Sequence, residues 1–326
     1  MTTPASLPRL LPLTPQYKER VWGGQRLHPS GSGTPIGEAW IAYGRSVVSA
    51  GAAQGQTLDE LLLANGPELL GARADAVPAD VQAGFPLLIK LLDCADWLSV
   101  QVHPDDAQAR SMVGPGERGK TEAWHMLQAA PGAEILAGVK AGTTPETLAQ
   151  AIRGGTVLEV AERWPVVAGD TVFIPANTLH ALGPGLLLYE VQQSSDTTYR
   201  VYDWDRPTSA GRALHLEESV AVTDPALHGD LRPQSQTHGE GELTASEYFV
   251  LEGVKLAGAG ETHRADTHGR SFQIVTVTAG EAELSSGSET LRLATFQTAL
   301  VSAAAGAYGL KALNGAASVL LAGLPG

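Results

Sequence analysis

Four stretches of this 326-residue chain carry side chains that can bind a metal or move protons. In Trp97-Leu-Ser99-Val-Gln101-Val-His103-Pro104, extended backbone places Ser99, Gln101 and His103 on one face and Leu98, Val100 and Val102 on the other. Three polar side chains turned inward together are poor core material unless they bind something. In Gly169-Asp170-Thr-Val-Phe-Ile-Pro175-Ala-Asn177-Thr-Leu-His180, a Gly-Asp turn feeds an apolar strand that proline ends at a bend. Asn177 falls at the tightest part, where left-handed backbone is needed, and His180 opens the next strand. Lys120 and Glu122 of Gly119-Lys-Thr-Glu-Ala-Trp124 share a face if the segment is extended; the glycine spacing of a nucleotide phosphate loop is missing. Downstream of His180, Glu190 sits in an apolar strand context and Arg200 lies among aromatics. Burial would raise the carboxyl of Glu190 toward that of a useful base.

Each of these residues also has an ordinary reading: a structural histidine in a turn, a polar edge strand, a solvated Lys–Glu pair, a surface ion pair. In combination, two histidines, a glutamate and a glutamine form a set suited to Zn²⁺, and the neutral amide leaves the ion a stronger Lewis acid than a fourth anion would. Spacing alone does not separate zinc from iron.

The elements that must position these groups are mostly strands. Phe85–Leu92, Glu134–Val139, Thr171–Ile174, Leu186–Gln192, Tyr248–Leu256, Ser271–Thr278 and Thr298–Val301 are short apolar or alternating runs between turn residues, the pattern of an all-β sandwich or barrel. The 37 glycines and 20 prolines fit many turns. Thr57-Leu-Asp-Glu60 is a capping box opening a helix that ends near Gly66 or Gly71, and Thr144-Pro145-Glu146 opens a second. A weaker helix is expected over Leu214–Val222. Residues 224–241 are polar and turn-rich, so the expected division is a site-bearing domain over 1–223, a linker over 224–241 and a small β-sandwich over 242–326.

Hydrophobic residues at 43% and charged residues at 17% suit a globular chain, and a formal charge of −13 argues against a nucleic-acid partner. Only six lysines occur, so cations near a site are notable. The single cysteine, Cys94, cannot form an intrachain disulfide; it reads as a buried small side chain and fits a reducing cytoplasm. The N-terminal stretch has no basic region ahead of an apolar run, and no run approaches membrane-spanning length. A cytoplasmic protein with no membrane partner is expected.

The segment ending at His180 resembles the second motif of cupins. More specifically, Gly37–Trp40, Ser99–Asp106, Gly119–Trp124, Pro175–Ala181 and Ser194–Trp204, with Arg20–Gly24 near the start, are similar to type I mannose-6-phosphate isomerases, particularly the short bacterial form. The resemblance runs in order over roughly residues 15–210 and is looser beyond. It implies a cupin-like jelly roll with a second, degenerate cupin-like domain. It implies one zinc per chain held by Gln101, His103, Glu122 and His180. Ser99, Lys120 and Arg200 are the implied substrate contacts, and Glu190, Lys120 and Arg200 the implied catalytic groups. The implied reaction interconverts mannose 6-phosphate and fructose 6-phosphate through an enediol, in a monomer or homodimer. Glutamine in place of the first histidine of the cupin His-x-His argues against an oxygenase. The alternative is a non-catalytic cupin that binds a sugar phosphate, which would not need a complete metal set together with Glu190 and Arg200.

Overall fold

The Thr57 hydroxyl accepts the Glu60 N–H while the Glu60 carboxylate accepts the Thr57 N–H, and this reciprocal cap opens the helix Leu58–Leu70. Thr144 caps the helix Pro145–Gly154 with proline at its start, and the third expected helix forms over Leu216–Val222. A fourth, Asp106–Met112, was not expected; Asp105 and Gln108 close a capping box directly behind Pro104. The computed structural model of the chain describes residues 7–31, 33–72, 84–206 and 213–325, so the first six residues of the N-terminal stretch lie outside it.

The rest is chiefly strand. Two compact units form: one of Met1–Gln16, Trp40–Ile89 and Thr237–Gly326, the other of Tyr17–Ala39 and Lys90–Gln236. In the first, the strand order is Leu10–Leu13, Thr298–Val301, Gln273–Ala279, Ala317–Gly323, Val250–Leu256, Gly241–Ala245, and a second sheet runs Thr262–Asp266, Ala307–Ala312, Glu281–Ser286, Glu289–Ala294. Val275, Val277, Val319 and Leu321 from one sheet and Leu284, Leu293 and Leu310 from the other share a buried core. This is the expected second β-sandwich.

The other unit carries the candidate residues. Its larger sheet is ordered Asp230–Arg232, Thr171–Ile174, Glu122–Ala129, Leu186–Gln193, followed by the parts of Leu87–Cys94, Gln16–Gly24 and Ile36–Ala42 that fall within this unit, and the smaller Tyr199–Tyr202, Val100–Val102, His180–Leu182, Glu134–Val139, Ala161–Pro165. One core lies between the sheets, with Trp124, Met126, Val172 and Leu188 meeting Ile135, Ala137 and Leu182. A second core covers the outside of the smaller sheet, where Val100, Val102, Leu136 and Ala181 pack with Leu148, Ile152 and Val222 of the helices. Burying Val100 and Val102 outward obliges Gln101, between them, to face inward. Leu98 departs from the expected face and joins the inner core, because the strand begins only at Val100 and alternation does not reach back to it.

This division is discontinuous in sequence, unlike the continuous 1–223, 224–241 and 242–326 read along the chain. The physical reason is strand pairing over long separations: Leu10–Leu13 pairs antiparallel with Thr298–Val301. Within 224–241, Asp230–Arg232 pairs with Thr171–Phe173 as a sheet edge, and Gln234–Thr237 forms a short helix. Cys94 is fully buried, as expected, and burial pushes its thiol well above the ordinary range. Among the described residues, no helix is long and apolar enough to cross a membrane.

Candidate active site and metal centre

Antiparallel pairing brings together what the chain separates. Gln101 lies opposite both His180 and Arg200 across neighbouring strands of the smaller sheet. On the larger sheet, Glu122 is opposite Gln192 and Trp124 opposite Glu190. The turn before His180 has the predicted backbone, with Asn177 at φ 70°. Its N–H donates to the His103 carbonyl at 2.8 Å, which ties the two histidine-bearing segments to each other. Asn177→Ala is expected to destabilise by about 1–2 kcal/mol, because a Cβ without a polar group disfavours this region. Asn177→Gly should cost less, although it too loses the Nδ2 bond to Gln108 Oε1 (2.5 Å). Denaturant unfolding of both variants measures the difference.

His103, Glu122 and His180 converge, each at most 1% exposed, with ligand atoms within 4.8 Å of one another. His103 donates Nδ1–H to the Thr197 carbonyl (2.9 Å) and His180 donates Nδ1–H to that of Thr178 (2.8 Å). Carbonyls only accept, so both rings carry hydrogen on Nδ1 and present a lone pair on Nε2. Burial, reinforced by the Lys120 charge, drives His180 down to about 3 and His103 well below the ordinary range, so both are neutral. Burial pushes the Glu122 carboxyl up to about 7 in spite of Lys120.

This donor set fits a cation. With its carboxyl deprotonated, as a metal ligand's must be, Glu122 Oε1 is buried without a hydrogen-bond partner and faces His180 Nε2 at 3.2 Å, acceptor against acceptor. The ammonium of Lys120 already donates to His103 Nε2 at 2.9 Å and to Glu122 Oε2, so the lone pairs draw positive charge. Gln101 sits beside them with its amide nitrogen 3.2 Å from His180 Nε2, and a half-turn of that amide would present oxygen instead. Two imidazoles, a carboxylate and an amide oxygen are within the ligand range of Zn²⁺.

Beside this cluster lies a cavity of about 490 Å³, in the range of small-molecule sites. Ser99, Gln101, Lys120, Trp124, Glu190 and Arg200 line it, as do Lys90 and His215. Of the residues expected from sequence, Ser99, Gln101, Lys120, Glu190 and Arg200 line this one cavity, while His103, Glu122 and His180 are not among its lining residues. Lys90 was not expected there. That lysine interrupts the run Leu87-Leu-Ile-Lys-Leu-Leu92, and a charge inside a fully buried strand was the available signal.

Lys90 donates to Glu190 Oε1 at 2.9 Å and to Gln192 Oε1 at 2.6 Å, and Trp124 Nε1 donates to Glu190 Oε2 at 3.0 Å. These contacts overturn the expectation that Glu190 has a base-like pKa. Burial does raise it, but Lys90 and Lys120, with the bonds from Lys90 and Trp124, outweigh burial and hold the carboxyl at about 2. Burial opposes the Lys90 charge in turn, yet Glu190, Glu38 and Glu122 keep its pKa above the ordinary value. The Arg200 guanidinium donates Nη1–H to the Ala213 carbonyl at 3.0 Å.

The fold is a β-sandwich of cupin type, and it carries a buried His–Glu–His cluster that could hold a metal ion beside a cavity of small-molecule size. Residues 10–125 match the family described as phosphomannose isomerase type I, catalytic domain. The chain is 38% identical over 290 residues to a mannose-6-phosphate isomerase of Streptococcus mutans, covering 85% of this chain and 87% of that one. The solved mannose 6-phosphate isomerase of Bacillus subtilis superposes with a TM-score of 0.81 at 31% identity, covering 97% of this chain and 99% of that one. A zinc-bound mannose 6-phosphate isomerase shares the fold, with a TM-score of 0.71 at 17% identity over 96% of this chain and 99% of that one. The chain belongs to the type I mannose-6-phosphate isomerase family.

Proposed function

We propose that this chain interconverts mannose 6-phosphate and fructose 6-phosphate by proton transfer through an enediol, with one zinc ion per chain. The observation that carries the metal is the buried Glu122 oxygen without a hydrogen-bond partner, facing the Nε2 lone pair of His180. His103, Glu122 and His180 would hold the ion, with Gln101 as the fourth ligand. Zinc would supply a Lewis acid for the oxygen that gains charge during isomerisation. The relatives named above carry the substrate assignment. The catalytic part is then the unit of Tyr17–Ala39 and Lys90–Gln236, and the enzyme works in the cytoplasm as a monomer or homodimer.

With the histidine lone pair otherwise engaged, the Lys120 ammonium turns to the cavity it lines, where it meets sugar or phosphate oxygens. Ser99 offers a hydroxyl on the same wall. Glu190 is the proton acceptor. Lys90 keeps it ionised at neutral pH, which ensures the accepting form but weakens the base, so turnover should depend on Lys90 as well as on Glu190. Burial of the ion pair shelters the transferred proton from exchange, so it can return to the neighbouring carbon.

Arg200 gives the anionic end of the substrate a planar, two-pronged donor. Loss of a charge-assisted contact costs about 1.5–3 kcal/mol, so Arg200→Ala should lower kcat/KM at least about tenfold. Arg200→Lys should recover little, since a point charge does not reproduce the fork. Steady-state kinetics of both variants would show it.

A coupled assay of mannose 6-phosphate conversion, with and without chelator, tests the function. Activity lost with chelator and restored by zinc is the expected result; no conversion by the metal-loaded protein sinks the proposal. In D₂O, deuterium should enter the migrating position partly. None at all would point to direct hydride transfer and against the enediol.

A further inference from the structure

His215 lies fifteen residues beyond Arg200, yet two hydrogen bonds join it to the Arg200 backbone, one from its own backbone and one to its ring. The His215 N–H donates to the Arg200 carbonyl at 2.8 Å, and the Arg200 N–H donates to the ring Nδ1 of His215 at 3.1 Å. A ring nitrogen that accepts from a backbone N–H carries no hydrogen itself, so in the neutral imidazole the hydrogen resides on Nε2. The ring packs tilted against Tyr199, with centroids 6.1 Å apart. His215 lines the cavity beside Arg200, and among the described residues Nε2 makes no hydrogen bond. A purely structural histidine here would need only Nδ1. The fixed tautomer instead leaves a free Nε2 donor on a ring that lines the cavity.

The position of that donor follows from the sheet. His180, Gln101 and Arg200 lie in one row across three neighbouring strands. At about 4.8 Å per strand, the backbones of His180 and Arg200 are roughly 10 Å apart. Carbon–carbon bonds of about 1.5 Å make an extended hexose 6-phosphate roughly 7–8 Å long from its second carbon to phosphorus. A sugar whose reacting end sits by the His–Glu–His cluster therefore reaches the Arg200–His215 end with its phosphate. We propose that His215 donates its Nε2–H to the substrate phosphate and forms, with Arg200, an anchor two strands across the sheet from His180. This rests on the sugar-phosphate reading above.

Two substitutions separate the ring nitrogens. In His215→Asn the short amide can still accept the Arg200 N–H, but nothing reaches the Nε2 position. In His215→Gln the longer amide puts a donor near Nε2. Calorimetric titration of the intact zinc-loaded protein with inorganic phosphate and steady-state turnover of mannose 6-phosphate give independent readouts. For His215→Asn, the phosphate Kd and the KM should each rise about tenfold or more, with kcat changed far less. His215→Gln should keep both within about threefold of wild type. If wild type turns over but His215→Asn leaves Kd and KM unchanged, the His215 assignment is wrong and the isomerase reading stands. If wild type is inactive yet phosphate binding falls in His215→Asn, the anchor stands and the isomerase reading fails. Should His215→Asn not fold, a tenfold loss of phosphate affinity in a folded His215→Gln overturns the inference.

Discussion

His103→Ala and His180→Ala are each expected to lose bound zinc and at least about a thousandfold in turnover, with the sandwich intact. The scale follows from charge stabilisation by a Lewis acid, worth several kcal/mol at about 1.4 kcal/mol per tenfold. Either change removes one of the two aimed imidazole lone pairs, and the remaining ring cannot compensate because a carbonyl bond holds its orientation. The fold should survive because the inner and outer cores are built from other residues, chiefly aliphatic and aromatic. Metal analysis of the purified variants, beside circular dichroism and the coupled assay, checks all three statements. Full zinc occupancy in both would remove these histidines from the ligand set.

The second large effect concerns Lys90 and Glu190, an ion pair 7% and 5% exposed in its side chains and therefore sensitive to losing one partner alone. Glu190→Gln leaves a buried ammonium without its paired carboxylate, and Lys90→Met leaves a buried carboxylate without its paired ammonium. Each should destabilise by about 3–5 kcal/mol, whereas Lys90→Met/Glu190→Gln together should recover much of that loss. Turnover should nearly vanish in Glu190→Gln and in the double variant, with zinc still bound. In Lys90→Met, burial acts with its main opposition gone, so the Glu190 pKa rises and the acid limb of the pH–rate profile moves upward. In the parent protein the sign is the reverse. A carboxyl lowered from 4.5 to about 2 adds stability that is fully present above 4.5 and is lost as the pH falls through about 2. Denaturant unfolding and pH–rate profiles of the four proteins complete the cycle. Additive stability losses, or normal turnover in Glu190→Gln, would dismiss the coupling or the role of the carboxylate.

Much of this molecule was legible in the sequence because its signals are local. Glu134–Val139, Thr171–Ile174 and Thr298–Val301 form strands over the expected residues, since each is a short apolar run closed by turn residues. The caps at Thr57 and Thr144 could be read because a helix start needs only its own first turn. Period-two alternation put Gln101 on the cavity side, between the outward Val100 and Val102, and the bend at Pro175–His180 announced a left-handed Asn177.

Other features depend on partners that the sequence holds far apart. The N-terminal strand belongs to a sheet completed by Thr298–Val301, and nothing within Leu10–Leu13 specifies that neighbour. Glu190 is the clearest case. Its strand context indicated burial and hence a raised pKa, but Lys90, a hundred residues earlier, reverses the sign through a contact made only in the folded sandwich. His215 likewise acquires its tautomer from the Arg200 backbone rather than from its own neighbours in sequence. The residue types and their faces were determined locally, by periodicity and turn chemistry. Which charges face one another, and so which groups are ionised and which lone pairs remain for a metal, was decided by tertiary structure, because Coulomb and desolvation terms act between groups brought within a few ångströms only by folding.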